Sequence, residues 1–156
     1  MPGRSASPQS SLRGRILPWL GAVLIVLAGF AAYYRTLDAP FVFDDNPGVV
    51  ENESIRDLSR IGSVLSPPAE GAGIDSRPLI NLSLALNYAA SGLNPWGYRL
   101  TNIVLHLLGA LALYGLIRRT LTLPSSPDRL RAQSLPIAFS VALLWTVHPL
   151  QTESVI

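Results

Sequence analysis

The segment FVFDDNP, Phe41 to Pro47, sets two adjacent carboxylates, Asp44 and Asp45, behind an aromatic and apolar run. Acids side by side near a low-dielectric boundary repel each other, so one holds its proton more tightly unless a cation compensates. Such a pair suits a general base that takes a proton from a hydroxyl or amide. It equally suits coordination of Mg²⁺, Mn²⁺ or Ca²⁺, which prefer hard oxygen ligands. D-D-N-P is also ordinary turn chemistry, which needs no function. Arg77, in SRPL (Ser76 to Leu79), offers a planar fork to phosphate oxygens, or simply snorkels to lipid headgroups. Arg99, Asn102 and His106 share one helix face by their spacing; they read either as cavity-lining groups or as a hydrogen-bonded cluster joining helices. In VHPLQTESV, His148 and Glu153 follow a proline break, where exposed backbone groups tend to line a cavity. The sequence holds no glycine-rich phosphate loop, no HExxH and no CxxC, so a soluble nucleotide site is unsupported.

The elements that must position these residues are membrane spans. Of 156 residues 49% are hydrophobic and only 14% charged, well under the quarter typical of soluble domains. Cysteine is absent, which excludes a disulfide framework, a dithiol redox site and a cysteine-based zinc site. All twelve basic residues are arginine, a skew that suggests a GC-rich bacterial genome. Residues 1–15 are polar and basic and predict a disordered cytoplasmic tail. Residues 16–34 carry no charge and predict a first span, belted by Trp19, Tyr33 and Tyr34. A cleaved signal peptide is the rival reading, but the run is long for one and no clean A-x-A site follows. Residues 35–97 form a loop with short interfacial helices at about 55–65 and 78–90. Residues 98–117 predict a second span closed by Arg118 and Arg119, and 118–134 a short loop. Residues 135–156 predict a third span broken near His148-Pro149.

Charge orients this arrangement. The tail and the loop after Arg118 are each +3, whereas Arg35 to Arg99 holds eight acids against five arginines. Short positive segments stay in the cytoplasm. The acidic loop therefore lies outside, and Asp44, Asp45 and Glu153 fall toward one membrane face. Two sequons, Asn52-Glu53-Ser54 and Asn81-Leu82-Ser83, would lie outside as well. The apolar pattern is cut off at Ile156, and three spans leave open helix faces, so the chain reads as the N-terminal piece of a larger all-α integral membrane protein.

The order of the pieces is more specific than any one of them. YYRTLDAPFVFDDNPGVVENESIRDLS, RPLINLSLALNY, GLNPWGYRLTNIVLHLLGALALYGLIRR and AFSVALLWTVHPLQTESV follow one another. Over residues 16–156 this resembles the N-terminal part of GT-C superfamily membrane glycosyltransferases carrying tetratricopeptide repeats, the O-mannosyltransferase-like members included. The resemblance implies transfer of a sugar from a polyprenyl-phosphate donor to a protein or glycan acceptor on the extracytoplasmic face. That face belongs to the bacterial inner membrane, or the endoplasmic reticulum membrane in a eukaryote. The resemblance makes Asp44 and Asp45 the catalytic pair, with Asp44 first as base. It makes Arg77, Arg99, His148 and Glu153 donor-phosphate or cavity-lining residues. A divalent cation stays open; no nucleotide or redox cofactor and no nucleic acid is expected. The chain departs from the family in having three spans and no repeats of its own, so it is not expected to be active alone. The competing readings are a non-catalytic membrane anchor for a repeat domain and a transporter fragment.

Overall fold

The computed structural model describes residues 8–66 and 77–155, and every regular element among them is helical. Helix α1 (Pro8–Tyr33) runs into a 3₁₀ turn at Tyr34–Asp38. It begins upstream of the apolar run, so residues 8–15 are helical rather than part of a disordered tail. Proline fits a first helical turn because its missing N–H would have no partner there. After the loop come the short α2 (Ile61–Val64), α3 (Pro78–Ser91) and α4 (Pro95–Leu121). Then follow α5 (Asp128–Ala132), α6 (Ser134–Thr146), a 3₁₀ turn at Pro149–Gln151, and α7 (Thr152–Val155). Two helical stretches, Ile16–Asp38 and Pro95–Leu121, are long and apolar enough to cross a membrane. Helix α6 has 13 residues, roughly 20 Å, which is short of the ~30 Å hydrocarbon core.

The chain divides into two compact units. One combines the chain up to Tyr34 with Ile103–Val155; the other is Arg35–Asn102. In the first, α1 and α6 pack through small residues. Gly21, Ile25 and Gly29 recur every four residues on α1, and the fully buried Ala138, Ala142 and Thr146 do so on α6. A Cβ added at Gly29 would stand 2.5 Å from Leu107 Cδ2 and 2.7 Å from Thr146 Cγ2. Close backbone approach of this kind drives helix association where lipid removes the hydrophobic contrast. Ile25, Ala110, Tyr114, Ala138 and Ala142 form the core of this unit.

Helix α6 stops at Thr146 because Pro149 has no N–H for the carbonyl of Trp145. The next possible donor, the Leu150 amide, goes to Nδ1 of His148 at 3.2 Å. The carbonyl of Thr146 instead accepts from the Tyr33 hydroxyl at 3.1 Å and Nε2 of His106 at 2.9 Å. His106 stacks on Trp145 and meets Tyr33 edge-on. This satisfies the helix-joining reading of His106.

The second unit is built on a core of Val49, Ile55, Val64, Ala85 and Tyr98. The single helix expected over 55–65 does not form. Glu53–Ile55 is a 3₁₀ turn, and α2 begins only at Ile61. Between them the Asp57 carboxylate accepts from the hydroxyl and amide of Ser59, at 2.6 and 2.9 Å. Those bonds, the hydroxyl first, hold the Asp57 carboxyl below its usual range. A side chain that bonds its local backbone offers the chain an alternative to the helix. Helix α3 ends at Gly92, whose φ of +61° a side chain would resist. Asn52 and Asn81, the two sequon asparagines, are both buried and bond each other at 2.9 Å. The Asn52 amide also donates to the Gly48 carbonyl at 3.0 Å. The Asn81 amide donates to Ser54 Oγ at 2.9 Å and the Val64 carbonyl at 2.7 Å. Three segments of the loop are thereby tied to α3.

Candidate functional site

The acidic segment closes on itself before it meets anything else. The amide of Asp45 donates to the carbonyl of Val42 at 3.0 Å, and that of Asn46 to Phe43 at 3.2 Å. The Val42 amide returns a bond to Asp45 Oδ2 at 3.1 Å. Asn46–Val50 then makes one wide π-type turn, with the Glu51 amide on the Asn46 carbonyl at 2.9 Å. Turns of this type recur at functional sites. The turn reading of D-D-N-P therefore holds, and the chemical reading sits on top of it.

The cation that compensates Asp45 is Arg99, 54 residues downstream in the first turns of α4. Its Nη2 donates to Asp45 Oδ2 at 2.7 Å and to the Pro40 carbonyl at 2.8 Å. Arg99 is 1% exposed, while the side chain of Asp45 is 26% exposed. The guanidinium also faces the Phe41 ring, which packs edge-on against Tyr98. Its Nε, buried, has no hydrogen-bond partner. An arginine cannot shed its charge by deprotonation. The buried guanidinium therefore fixes Asp45 as its counter-ion, and with it the turn that carries Asp44.

Asp44 is exposed, and its carboxylate makes no hydrogen bond or ion pair among the described residues. The two acids, equivalent in the sequence, are thus separated by the fold: one is held, the other is presented. One oxygen of Asp45 is committed to Arg99 and Val42, and no third His, Cys, Asp or Glu joins the two acids among the described residues.

The other expected site residues fall elsewhere. Arg77 is exposed immediately before Pro78 at the head of α3. His148 is exposed in the helical unit and uses Nδ1 to cap the turn after the α6 break. The side chain of Glu153 lies outside the described residues. The sequence reading passed over Asn52, Asn81 and Ser54 as parts of sequons and missed that they brace the turn after Asp45. It also passed over Phe43, which is 90% exposed with a φ of +45°.

Protein O-mannosyl-transferase Tmtc1 of Drosophila melanogaster is 35% identical over 133 residues, covering 81% of this chain and 14% of its own length. Protein O-mannosyl-transferase TMTC1 of Mus musculus is 31% identical over 161 residues, covering 98% of this chain and 16% of its own length. Protein O-mannosyl-transferase TMTC2 of Homo sapiens is 32% identical over 136 residues, covering 81% and 15% respectively. No family model and no solved structure matches. The chain spans about one sixth of the length of these relatives. By its sequence and these relatives, the chain belongs to the protein O-mannosyl-transferase family as the homologue of one part of its members.

Proposed function

We propose that this chain is the part of a GT-C-type membrane mannosyltransferase that carries the acidic catalytic loop, with Asp44 as the general base. The observation that supports this most is the division of labour between the two acids. Asp45 is paired with the buried Arg99 at 2.7 Å, and Asp44 next to it stays exposed. In the proposed reaction an acceptor hydroxyl oxygen attacks the anomeric carbon of the donor sugar. Its proton passes to Asp44, and the bond from the anomeric carbon to the donor phosphate oxygen breaks. The polyprenyl phosphate leaves, and the anomeric centre inverts. Arg77, exposed at the head of α3, suits the departing phosphate as a bidentate partner. In this reading Arg99, 1% exposed and with Nη2 on Asp45 and Pro40, positions the acidic turn rather than the phosphate. His148 and Glu153 are the proposed cavity-lining groups.

The same proposal keeps the orientation argued from charge. The N-terminus is cytoplasmic, the loop from Arg35 to Arg99 faces the extracytoplasmic side, and the chain from α6 onward makes a third, broken span. The acceptor is a protein or glycan hydroxyl. The test is transfer from polyprenyl-phosphate-linked radiolabelled mannose in membranes that express the full-length protein. At equal expression, Asp44→Asn should lower transfer about a hundredfold or more, and Asp45→Asn by less. Undiminished transfer by Asp44→Asn removes the base from this loop. Undiminished transfer by both variants clears the carboxylates of an essential role, whereas no transfer by the wild-type protein above membranes that lack it favours a non-catalytic anchor.

A further inference from the structure

Phe41 and Phe43 stand two apart, and an extended backbone would send both rings to the same side. The structure treats them oppositely. Phe41 turns in against Tyr98 and Arg99, whereas Phe43 is 90% exposed. The cause is the backbone: φ at Phe43 is +45°, the one positive value at a non-glycine position among the described residues. A bulky side chain in that region is a genuine outlier, and such outliers gather where a ligand is handled. The kink is held from both sides by the Val42–Asp45 bonds and the Asn46–Phe43 bond, and Arg99 anchors Asp45 behind it. The left-handed phenylalanine is thus kept in place by a buried ion pair. No contact of the ring among the described residues offsets its backbone strain.

We infer that Phe43 is a sugar-contact residue: its ring is the platform on which the transferred hexose rests, beside the Asp44 carboxylate. This rests on the mannosyl-transfer reading above and deepens it. A pyranose presents an apolar C–H face and a rim of hydroxyls. An aromatic ring followed at once by an exposed carboxylate matches both. The same carboxylate argues against insertion of the ring into lipid, because it would have to be drawn toward hydrocarbon with it. Phe43 contributes binding that is equal in the ground and transition states, so it acts on KM rather than kcat.

The experiment uses the full-length protein in membranes, with polyprenyl-phosphate mannose as the donor probe. Phe43→Gly, Phe43→Ala and Phe43→Trp are compared with Asp44→Asn. Phe43→Gly should raise the melting temperature, because glycine relieves the backbone at this positive φ. It should also raise the donor KM about threefold to tenfold with kcat little changed. Phe43→Ala should raise KM without the gain in melting temperature, and Phe43→Trp should keep KM near the wild-type value. A Phe43→Gly protein with wild-type KM overturns the assignment. So does one with a lowered melting temperature, which would mean that the ring packs on another part of the protein. Brominated lipid offers a further check: if it quenches the fluorescence that Phe43→Trp adds over the wild-type protein, the ring lies in the bilayer and the assignment is overturned too. If Asp44→Asn is inactive while Phe43→Gly binds donor normally, the ring's role fails alone. If Asp44→Asn transfers normally, the underlying reading fails first.

Discussion

Truncating Asp45 to alanine strands a guanidinium that is 1% exposed. Arg99 cannot neutralise itself, and its Nε already lacks a partner. Breaking a buried pair in this way costs about 3–5 kcal/mol. The Pro40 carbonyl, which stays bonded to Nη2, argues for the low end, about 3 kcal/mol. The reverse truncation is milder. Arg99→Met leaves a carboxylate that is one quarter exposed and keeps the Val42 amide, and methionine refills much of the volume. That change should cost about 1–2 kcal/mol. The double variant Asp45→Ala/Arg99→Met buries no unpaired charge, so its cost should fall short of the sum by about 2 kcal/mol. The assay is denaturant unfolding of the four proteins in detergent micelles, followed by near-ultraviolet dichroism. Two results refute the reasoning. One is a coupling below about 0.5 kcal/mol. The other is an Arg99→Met variant less stable than Asp45→Ala, which would mean that the carboxylate and not the guanidinium is the stranded member.

Three further outcomes follow from the packing. Gly29→Ala places a methyl 2.7 Å from Thr146 Cγ2, so it should destabilise the α1–α6 contact by about 1–3 kcal/mol; a neutral effect in the same unfolding measurement contradicts that contact. Asn81→Leu removes the partner of Asn52, Ser54 and the Val64 carbonyl together and should cost about 2–4 kcal/mol; a loss under about 1 kcal/mol contradicts the network. Tyr33→Phe and His106→Phe each leave the Thr146 carbonyl one donor and should cost about 1 kcal/mol apiece. Their combination orphans it, so the pair should lose clearly more than the sum in a double-mutant cycle, and simple additivity counts against the shared acceptor.

The helices were legible because their signals are local. An uncharged run from Ile16 to Tyr34, a run closed by Arg118-Arg119 and a proline at 149 each constrain the few residues around them. Helix α3, expected over about 78–90, was legible for the same reason, with Pro78 opening it. The segment around Asp57 misled because its apolar spacing suits a helix, while the Asp57–Ser59 bonds compete with one. The sequons misled differently. Asn52 and Asn81 matched a surface pattern, but their amides satisfy one another in the interior. The regular spacing of Gly21 and Gly29, and of Ala138, Ala142 and Thr146, was available in the sequence; only facing partners give it meaning.

The sequence by itself determined the all-helical class, two apolar helical stretches long enough to cross a membrane, the acidic segment between them and the candidate pair Asp44 and Asp45. Those follow from composition and from periodicities of a few residues. Only the tertiary structure decided which acid is held and which is presented. That choice depends on Arg99, 54 residues away, and no local spacing encodes such a contact. A buried charge takes the counter-ion that the fold brings within reach.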